Sequence, residues 1–208
     1  CLVGSEMCIR DRQNIVLGSE TSSTVSSRGV YKFPVEKRGD AKYDDHQSSG
    51  YDLEHCSWSN VPDEDFALAD DYDWTIGQFV WTGFDYLGES WGWPGRTNNY
   101  GIIDLAGFEK DHYYLYQSLW SDEPMVHVLP HWTHPGKEGV EIPVVVYTNG
   151  DAAELFYNGK SLGRKDMHRD SLQIVWNVPY RPGTIKAVAY KDGRVIASCS
   201  HKTAGKAY

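Results

Sequence analysis

The sequence predicts two successive architectures, an α/β part with parallel strands and then an all-β part. In the first half, short apolar runs alternate with irregular loops and helical segments, which is the order of βα units in a parallel sheet. After residue 122, short alternating runs are separated by turn-forming dipeptides, which is typical of antiparallel sheets. The chain of 208 residues has room for one or two domains.

The first predicted strand ends in a carboxylate. Ile15–Leu17 is an apolar run too short for an ordinary helix and predicts a buried strand, followed by Gly18, Ser19 and Glu20. The polar residues that follow predict a loop, so Glu20 is presented at the carboxyl end of a strand, where (β/α) barrels place their chemistry. A helix cap or a salt-bridge partner is the alternative role for such a residue.

A second strand and two helices complete the α/β part. A helix is predicted from a cap at Asn60, with Pro62 in its first turn, to about Tyr72. The strand spans 76–86 and is followed by a loop rich in glycine and tryptophan, and helical spacing returns over 110–120. The long segment 31–58 is predicted to be irregular, and its Asp44-Asp45-His46 triple is interpreted as a solvated surface cluster rather than a metal site.

Composition narrows the classes of partner. The net charge of −9, without a basic cluster, disfavours nucleic acid and anionic membranes. The sequence contains no run of 18 apolar residues, so it predicts no membrane-spanning helix. Aromatic residues make up 13% of the chain, and five of its eight tryptophans fall between Trp74 and Trp120. Aromatic faces suit sugar rings, although core packing is an equally good explanation.

The sequence lacks the motifs of several common kinds of functional site. The cysteines lack metal-type spacing, and Cys56 and Cys199 are interpreted as free, buried or half-buried thiols. No phosphate loop is present, and Gly18-Ser19-Glu20 lacks the second glycine of a serine-hydrolase elbow. No cofactor is evident. Residues 1–12 are unlike a signal peptide, and they resemble a translated sequencing adapter and are left out of the fold prediction.

Three longer stretches, in this order, resemble the β-galactosidases of glycoside hydrolase family 2 that are common in gut-type Bacteroidetes. They are Gly18-Ser19-Glu20-Thr21-Ser22-Ser23 with the residues on to Tyr31, Phe79-Val80-Trp81-Thr82-Gly83-Phe84-Asp85-Tyr86 on to Glu89, and Tyr100-Gly101-Ile102-Ile103-Asp104 on to Asp111. The resemblance implies that residues 13–121 are the C-terminal quarter of a TIM (β/α)8 barrel, with its strands seven and eight. Residues 122–208 are predicted to form an immunoglobulin-like β-sandwich.

The resemblance also implies roles for single residues. Glu20 matches the catalytic nucleophile, Trp81 matches the tryptophan that forms the floor of the galactose subsite, and Asp85 is a supporting or sugar-contacting residue. Asn98 and Asn99 are candidate ligands for sugar hydroxyls because an amide both donates and accepts hydrogen bonds, although a turn preference explains them slightly better. The general acid/base lies on a strand that this sequence does not contain, so the chain alone is expected to be inactive.

The predicted sandwich rests on five alternating runs and three turns. The runs are Val126–Trp132, Glu141–Thr148, Ala153–Tyr157, Leu172–Val178 and Thr184–Tyr190, and the turns are Asn149-Gly150, Asn158-Gly159 and Asp192-Gly193. Six or seven short antiparallel strands are expected. His131 and His134 are interpreted as structural histidines beside Trp132, because no acid, cysteine or further histidine cluster accompanies them.

Two functional hypotheses follow. The first is a fragment of a retaining β-galactosidase acting on a carbohydrate substrate, with a periplasmic or secreted location implied by the resemblance. The second is a non-catalytic carbohydrate-binding or structural module in which the sandwich is the working part. Within the enzyme class, β-glucuronidase and β-mannosidase share the architecture. The oligomeric state is not predicted.

Overall fold

The computed structural model describes residues 15–40, 43–88, 97–168 and 171–206. The predicted adapter segment 1–12 and most of the loop 88–95 lie outside these residues. The chain divides into two compact units between His112 and Tyr113.

The first unit is built on one pair of parallel strands. Strand β1 (Val16–Thr21) pairs with β4 (Thr75–Val80), and helix α1 (Pro62–Asp70) lies between them in sequence. Four shorter strands form two further pairs: β2 (Arg38–Gly39) with β3 (Glu54–His55) in parallel, and β5 (Tyr86–Leu87) with β6 (Thr97–Asn98) in antiparallel register. The segment 31–58 is irregular apart from β2 and β3, as predicted.

The prediction that the first strand is buried is wrong for the described chain. Ile15 and Leu17 are 71% and 50% exposed, and Ile76 and Phe79 on the β4 side are 65% and 64% exposed. Among the described residues β1 pairs with β4 alone. The exposure of these side chains shows that the faces of this small sheet are not both covered. Strand β4 is also shorter than predicted, since it ends at Val80; Phe84 then forms an isolated bridge with Ile103 before β5 begins at Tyr86.

Both predicted helices form, with different ends. The cap of α1 is Val61 rather than Asn60, and it makes no side-chain cap hydrogen bond. Asn60 instead donates from Nδ2 to Asp65 Oδ1 at 3.3 Å. The helix ends at Asp70, before the predicted Tyr72. Helix α2 (Asp111–Trp120) matches the predicted 110–120 within one residue.

Beyond the helical residues 113–120, the second unit is formed by two antiparallel sheets. Its strands are β7 (Val126–Leu129), β8 (Glu141–Thr148), β9 (Ala152–Tyr157), β10 (Lys160–Asp166), β11 (Ile174–Pro179), β12 (Thr184–Lys191) and β13 (Arg194–Lys202). The order is β11-β8-β7 in one sheet and β10-β9-β12-β13 in the other. Contacts of β7 with β12 and β13 bring the sheets together. Their buried faces form a core that includes Val128, Leu129, Trp132, Ile142, Val144, Val146, Leu155, Ile185 and Ala187.

Two of the three predicted turns join hairpins. Asn158 and Gly159 have φ of 47° and 80° and connect β9 to β10, and Asp192-Gly193 connects β12 to β13 in the same left-handed conformation. These are the conformations of a two-residue type I′ turn, and both predictions are confirmed. Asn149-Gly150 does not close a hairpin, because β8 and β9 lie in different sheets.

Candidate active site at the ends of β1 and β4

Glu20 lies at the carboxyl end of the parallel pair. It is the penultimate residue of β1, and its side chain is exposed. Thr21 pairs with Val80, and the amide of Trp81 donates to the Thr21 carbonyl at 2.9 Å. Glu20 and Trp81 therefore follow neighbouring strands to the same edge, where an exposed carboxylate can reach a bound molecule.

Trp81 presents part of an aromatic surface beside that edge. It is 37% exposed, and the Trp81–Thr82 peptide bond is cis. The edge of its ring meets Tyr86, with 6.2 Å between ring centroids, and Tyr86 stacks with Tyr100 at 6.4 Å. A partly exposed indole fixed by another aromatic ring provides a flat apolar face, which is suited to the C–H groups of a pyranose.

The turn that follows Glu20 is fixed by an acid from α1. Ser22 has φ of 51°, and both its amide and its hydroxyl donate to Asp65 Oδ2, at 2.7 and 2.8 Å. The next amide, of Ser23, donates to Ser59 Oγ at 2.7 Å. The sequence offered Asp65 only as one of several acids in the first turn of a helix, so this contact was not predicted.

Asp85 is bound within the protein. Its Oδ1 accepts from Lys110 Nζ at 2.7 Å and from the Gly101 amide at 2.8 Å, and the two charged side chains are 8% and 1% exposed. Burial lowers the pKa of the Lys110 ammonium, and the hydrogen bond and charge of Asp85 oppose that shift. The hydrogen bonds of Asp85 agree with the supporting role, and direct contact of Asp85 with a sugar stays a prediction.

The two predicted amide ligands differ in exposure. Asn98 is buried in β6 opposite Tyr86. Asn99 is half-buried, with Nδ2 donating to Ser27 Oγ at 3.3 Å and its carbonyl accepting from the Ser26 amide at 3.1 Å. Both asparagines are therefore at least half-buried within the protein, whereas Glu20 and Trp81 are exposed or partly exposed at the carboxyl ends of β1 and β4.

A buried Ser–His–Asp group lies nearby and does not form a nucleophilic triad. Ser26 Oγ and Asp52 Oδ1 both approach the Nδ1 atom of His112, at 2.9 and 3.1 Å. A catalytic triad uses the two ring nitrogens for serine and aspartate separately. All three side chains are also buried, so a substrate cannot reach the hydroxyl.

The described residues contain no group of three or more His, Cys, Asp or Glu side chains arranged for a metal ion. Asp44, Asp45 and His46 are exposed, as expected for a surface cluster. His131 and His134 stack on each other with 4.8 Å between ring centroids and lie beside Trp132 and Tyr180. Cys56 is buried and Cys199 half-buried, and within the described residues neither forms a disulfide, in agreement with the prediction.

Across the described part of the chain, no helix combines the length and the hydrophobicity needed to cross a bilayer.

Comparison with known proteins gives matches over both units. Residues 139–197 match a family model described as a domain of unknown function, DUF4982. The chain is 43% identical over 199 residues to the β-galactosidase BoGH2A of Bacteroides ovatus, covering 90% of this chain and 23% of that enzyme. It is 49% identical over 141 residues to a putative β-glucuronidase of Formosa agariphila, covering 64% and 14% of the two chains.

Solved structures agree with this. A β-glycosidase from Bacteroides vulgatus superposes with a TM-score of 0.81 at 39% identity, covering 92% of this chain and 28% of that one. A glycosyl hydrolase family 2 member from Bacteroides cellulosilyticus has a TM-score of 0.58 at 36% identity, covering 69% and 21%. The chain spans about a quarter of the length of the first curated relative. The resemblance predicted from the motifs is confirmed, and in sequence and fold this chain is a relative of the glycosidases of glycoside hydrolase family 2.

Proposed function

We propose that this chain is part of a retaining β-galactosidase and that Glu20 is its nucleophile. The observation that carries the proposal is the shared edge of β1 and β4, where an exposed carboxylate and a partly exposed indole stand at the ends of adjacent parallel strands. The 43% identity to a β-galactosidase over most of the chain supports the choice of reaction.

The chemistry assigns separate roles to these residues. The Glu20 carboxylate attacks the anomeric carbon and forms a covalent glycosyl-enzyme, which water then hydrolyses. Trp81 holds the apolar face of the sugar ring. A second carboxyl group about 5–5.5 Å from the nucleophile protonates the leaving oxygen and later activates the water. Asp85 is unsuited to that task because its Oδ1 faces the Lys110 ammonium. The family resemblance implies that the acid/base comes from a barrel strand that this sequence does not contain.

The domain assignment is part of the proposal. Residues 13–121 are the last two βα units of a TIM barrel, and residues 122–208 are an immunoglobulin-like sandwich. The parallel pairing of β1 with β4 and the exposed apolar side chains on those strands support the first part. Seven antiparallel strands in two sheets support the second.

A β-glucuronidase is the second candidate, favoured by the 49% identical relative. A glucuronide carries a carboxylate, which an enzyme recognises most directly with a cation. Near the site, Arg28 is paired with Asp104 at 2.6 Å, and the Lys110 ammonium is enclosed by acceptors. These two cations are therefore engaged within the protein, and the first candidate rests on the match to a β-galactosidase over 90% of this chain.

The test is covalent trapping in the full protein encoded by the gene. A 2-fluoro-galactoside is incubated with the enzyme, and the labelled peptide is identified by mass spectrometry. We expect the label on Glu20 and its loss in Glu20→Gln, whereas Glu109→Gln, an exposed control, keeps it. Label on another carboxylate would refute Glu20 as nucleophile. Labelling by a 2-fluoro-glucuronide alone would favour the second candidate, and neither label nor turnover would favour a non-catalytic module.

A further inference from the structure

Lys110 is a buried cation that meets three separate segments. Its side chain is 1% exposed, and Nζ donates to Asp85 Oδ1 at 2.7 Å, to the Ser26 carbonyl at 2.8 Å and to the Asn99 carbonyl at 3.3 Å. An ammonium group has three N–H donors and no acceptor. Each donor is thus matched with one acceptor.

The acceptors come from the loops that build the candidate site. Ser26 lies in the segment after β1, which begins beside Glu20, and Asp85 lies in the segment after β4, which begins with Trp81. Asn99 follows β6. The same groups are joined a second time, because the Ser26 amide donates to the Asn99 carbonyl at 3.1 Å and the Gly101 amide donates to Asp85 Oδ1.

The backbone at Gly101 lies tightly against the segment after β4. A Cβ atom on Gly101 would lie 1.9 Å from the Asp85 amide nitrogen and 2.1 Å from the Phe84 carbonyl carbon. A lysine that only neutralised Asp85 would need that one partner. Two backbone carbonyls from different segments also converge on the ammonium, so its position determines the spacing between the segments.

We propose that Lys110 is a positioning residue that holds the segments after β1 and β4, and through them Glu20 and Trp81, in one fixed arrangement. The effect of this positioning on catalysis rests on the proposed glycosidase reaction. The arrangement of the segments around Lys110 does not depend on that reaction. The side chain touches no reacting atom and acts through the loops.

The test compares Lys110→Met with Tyr51→Leu in the full protein encoded by the gene. Tyr51 is a buried aromatic residue of the same unit that packs on Tyr31 and Phe33, beyond the peptide 22–30. It is not among the acceptors that fix the Lys110 ammonium, and it serves as the control for lost stability. Two quantities are measured: kcat per active site, with sites counted by the 2-fluoro-galactoside, and hydrogen exchange of peptides covering 22–30, 62–70 and 82–88.

For Lys110→Met we expect kcat per labelled site to fall by roughly 10- to 100-fold, since small misplacements of reacting groups cost that much. Exchange should rise in 22–30 and 82–88 more than in α1. Tyr51→Leu should lower the melting temperature and keep kcat per labelled site. An unchanged kcat per site in Lys110→Met, or an equal rise of exchange in all three peptides, overturns the proposal. If the wild-type protein neither labels nor turns over a glycoside, the proposed function fails, and exchange alone decides the positioning role.

Discussion

We expect His134 to make the stability of the second unit depend on pH. The side chain is 6% exposed, and its ring lies 5.3 Å from Tyr180 and 4.8 Å from His131 between centroids. Burial, and then the nearby charge of His131, lower the pKa of His134 from 6.5 to about 4, and Lys137 acts in the same direction. The folded protein therefore keeps this imidazole neutral at pH values where the unfolded chain protonates it.

The sign and the size of the effect follow from that difference. Above pH 6.5 neither the folded nor the unfolded state binds the proton on His134, so His134 does not lower the free energy of unfolding there. Between pH 6.5 and 4 only the unfolded state binds it, and the free energy of unfolding falls as the pH is lowered. A gap from 6.5 to 4 at 1.36 kcal/mol per pH unit amounts to about 3 kcal/mol, and below pH 4 the loss stops growing.

The assay is urea unfolding of the protein at several pH values from 4 to 7.5, followed by hydrogen exchange of peptides from β8 and β12. His134→Gln removes the titrating group, and His168→Gln, at an exposed position, is the matched control. We expect the wild type and the His168 variant to lose about 3 kcal/mol more than His134→Gln between pH 6.5 and 4. Parallel pH profiles for all three proteins would refute the reasoning.

Two further predictions concern single contacts. Asp65→Ala leaves the buried amide and hydroxyl of Ser22 without their acceptor, and we expect a loss of about 2–4 kcal/mol in urea unfolding monitored through the peptide 15–30. Asp73→Ala, at an exposed position, should change little, and equal losses would contradict the assigned role. Gly159→Ala forces a side chain into φ of 80° and should cost about 1–2 kcal/mol in the stability of the β9–β10 hairpin, measured by hydrogen exchange. Gly205→Ala, in open space without a positive φ, is its control, and an equally mild result at both glycines would contradict the strain argument.

The turns show how far local sequence predicts this fold. Asn158-Gly159 and Asn149-Gly150 are the same dipeptide between apolar runs, yet only the first closes a hairpin. Asn149 instead binds the backbone of the preceding segment, donating to Ser121 and Glu123 and accepting from Met125. A Cβ on Gly150 would lie 2.4 Å from a backbone oxygen of β12. Turn preference is local, whereas the choice between pairing and crossing to another sheet depends on distant strands.

The candidate site divides in the same way. The position of Glu20 followed from the end of a predicted strand, whereas that of Trp81 came from the family resemblance alone, because the predicted strand 76–86 ran past it. In the structure the Trp81 amide donates to the carbonyl of Thr21, the residue after Glu20. The contacts of Lys110 and Asp65 had no signal in the sequence. A charged residue in a polar segment predicts solvent exposure, and nothing local indicates that backbone carbonyls from other loops will surround it.

The error about the burial of β1 bears directly on the proposed function. An unbroken apolar run predicts a strand covered on both faces. In the described chain, four large apolar side chains of this two-stranded sheet, Ile15, Leu17, Ile76 and Phe79, are each at least half exposed. Large apolar side chains exposed together on one small sheet are typical of a surface that another element covers. The pattern of the sequence and the exposure in the structure are reconciled if further barrel strands cover β1 and β4, which supports the proposal that this pair works within a larger glycosidase.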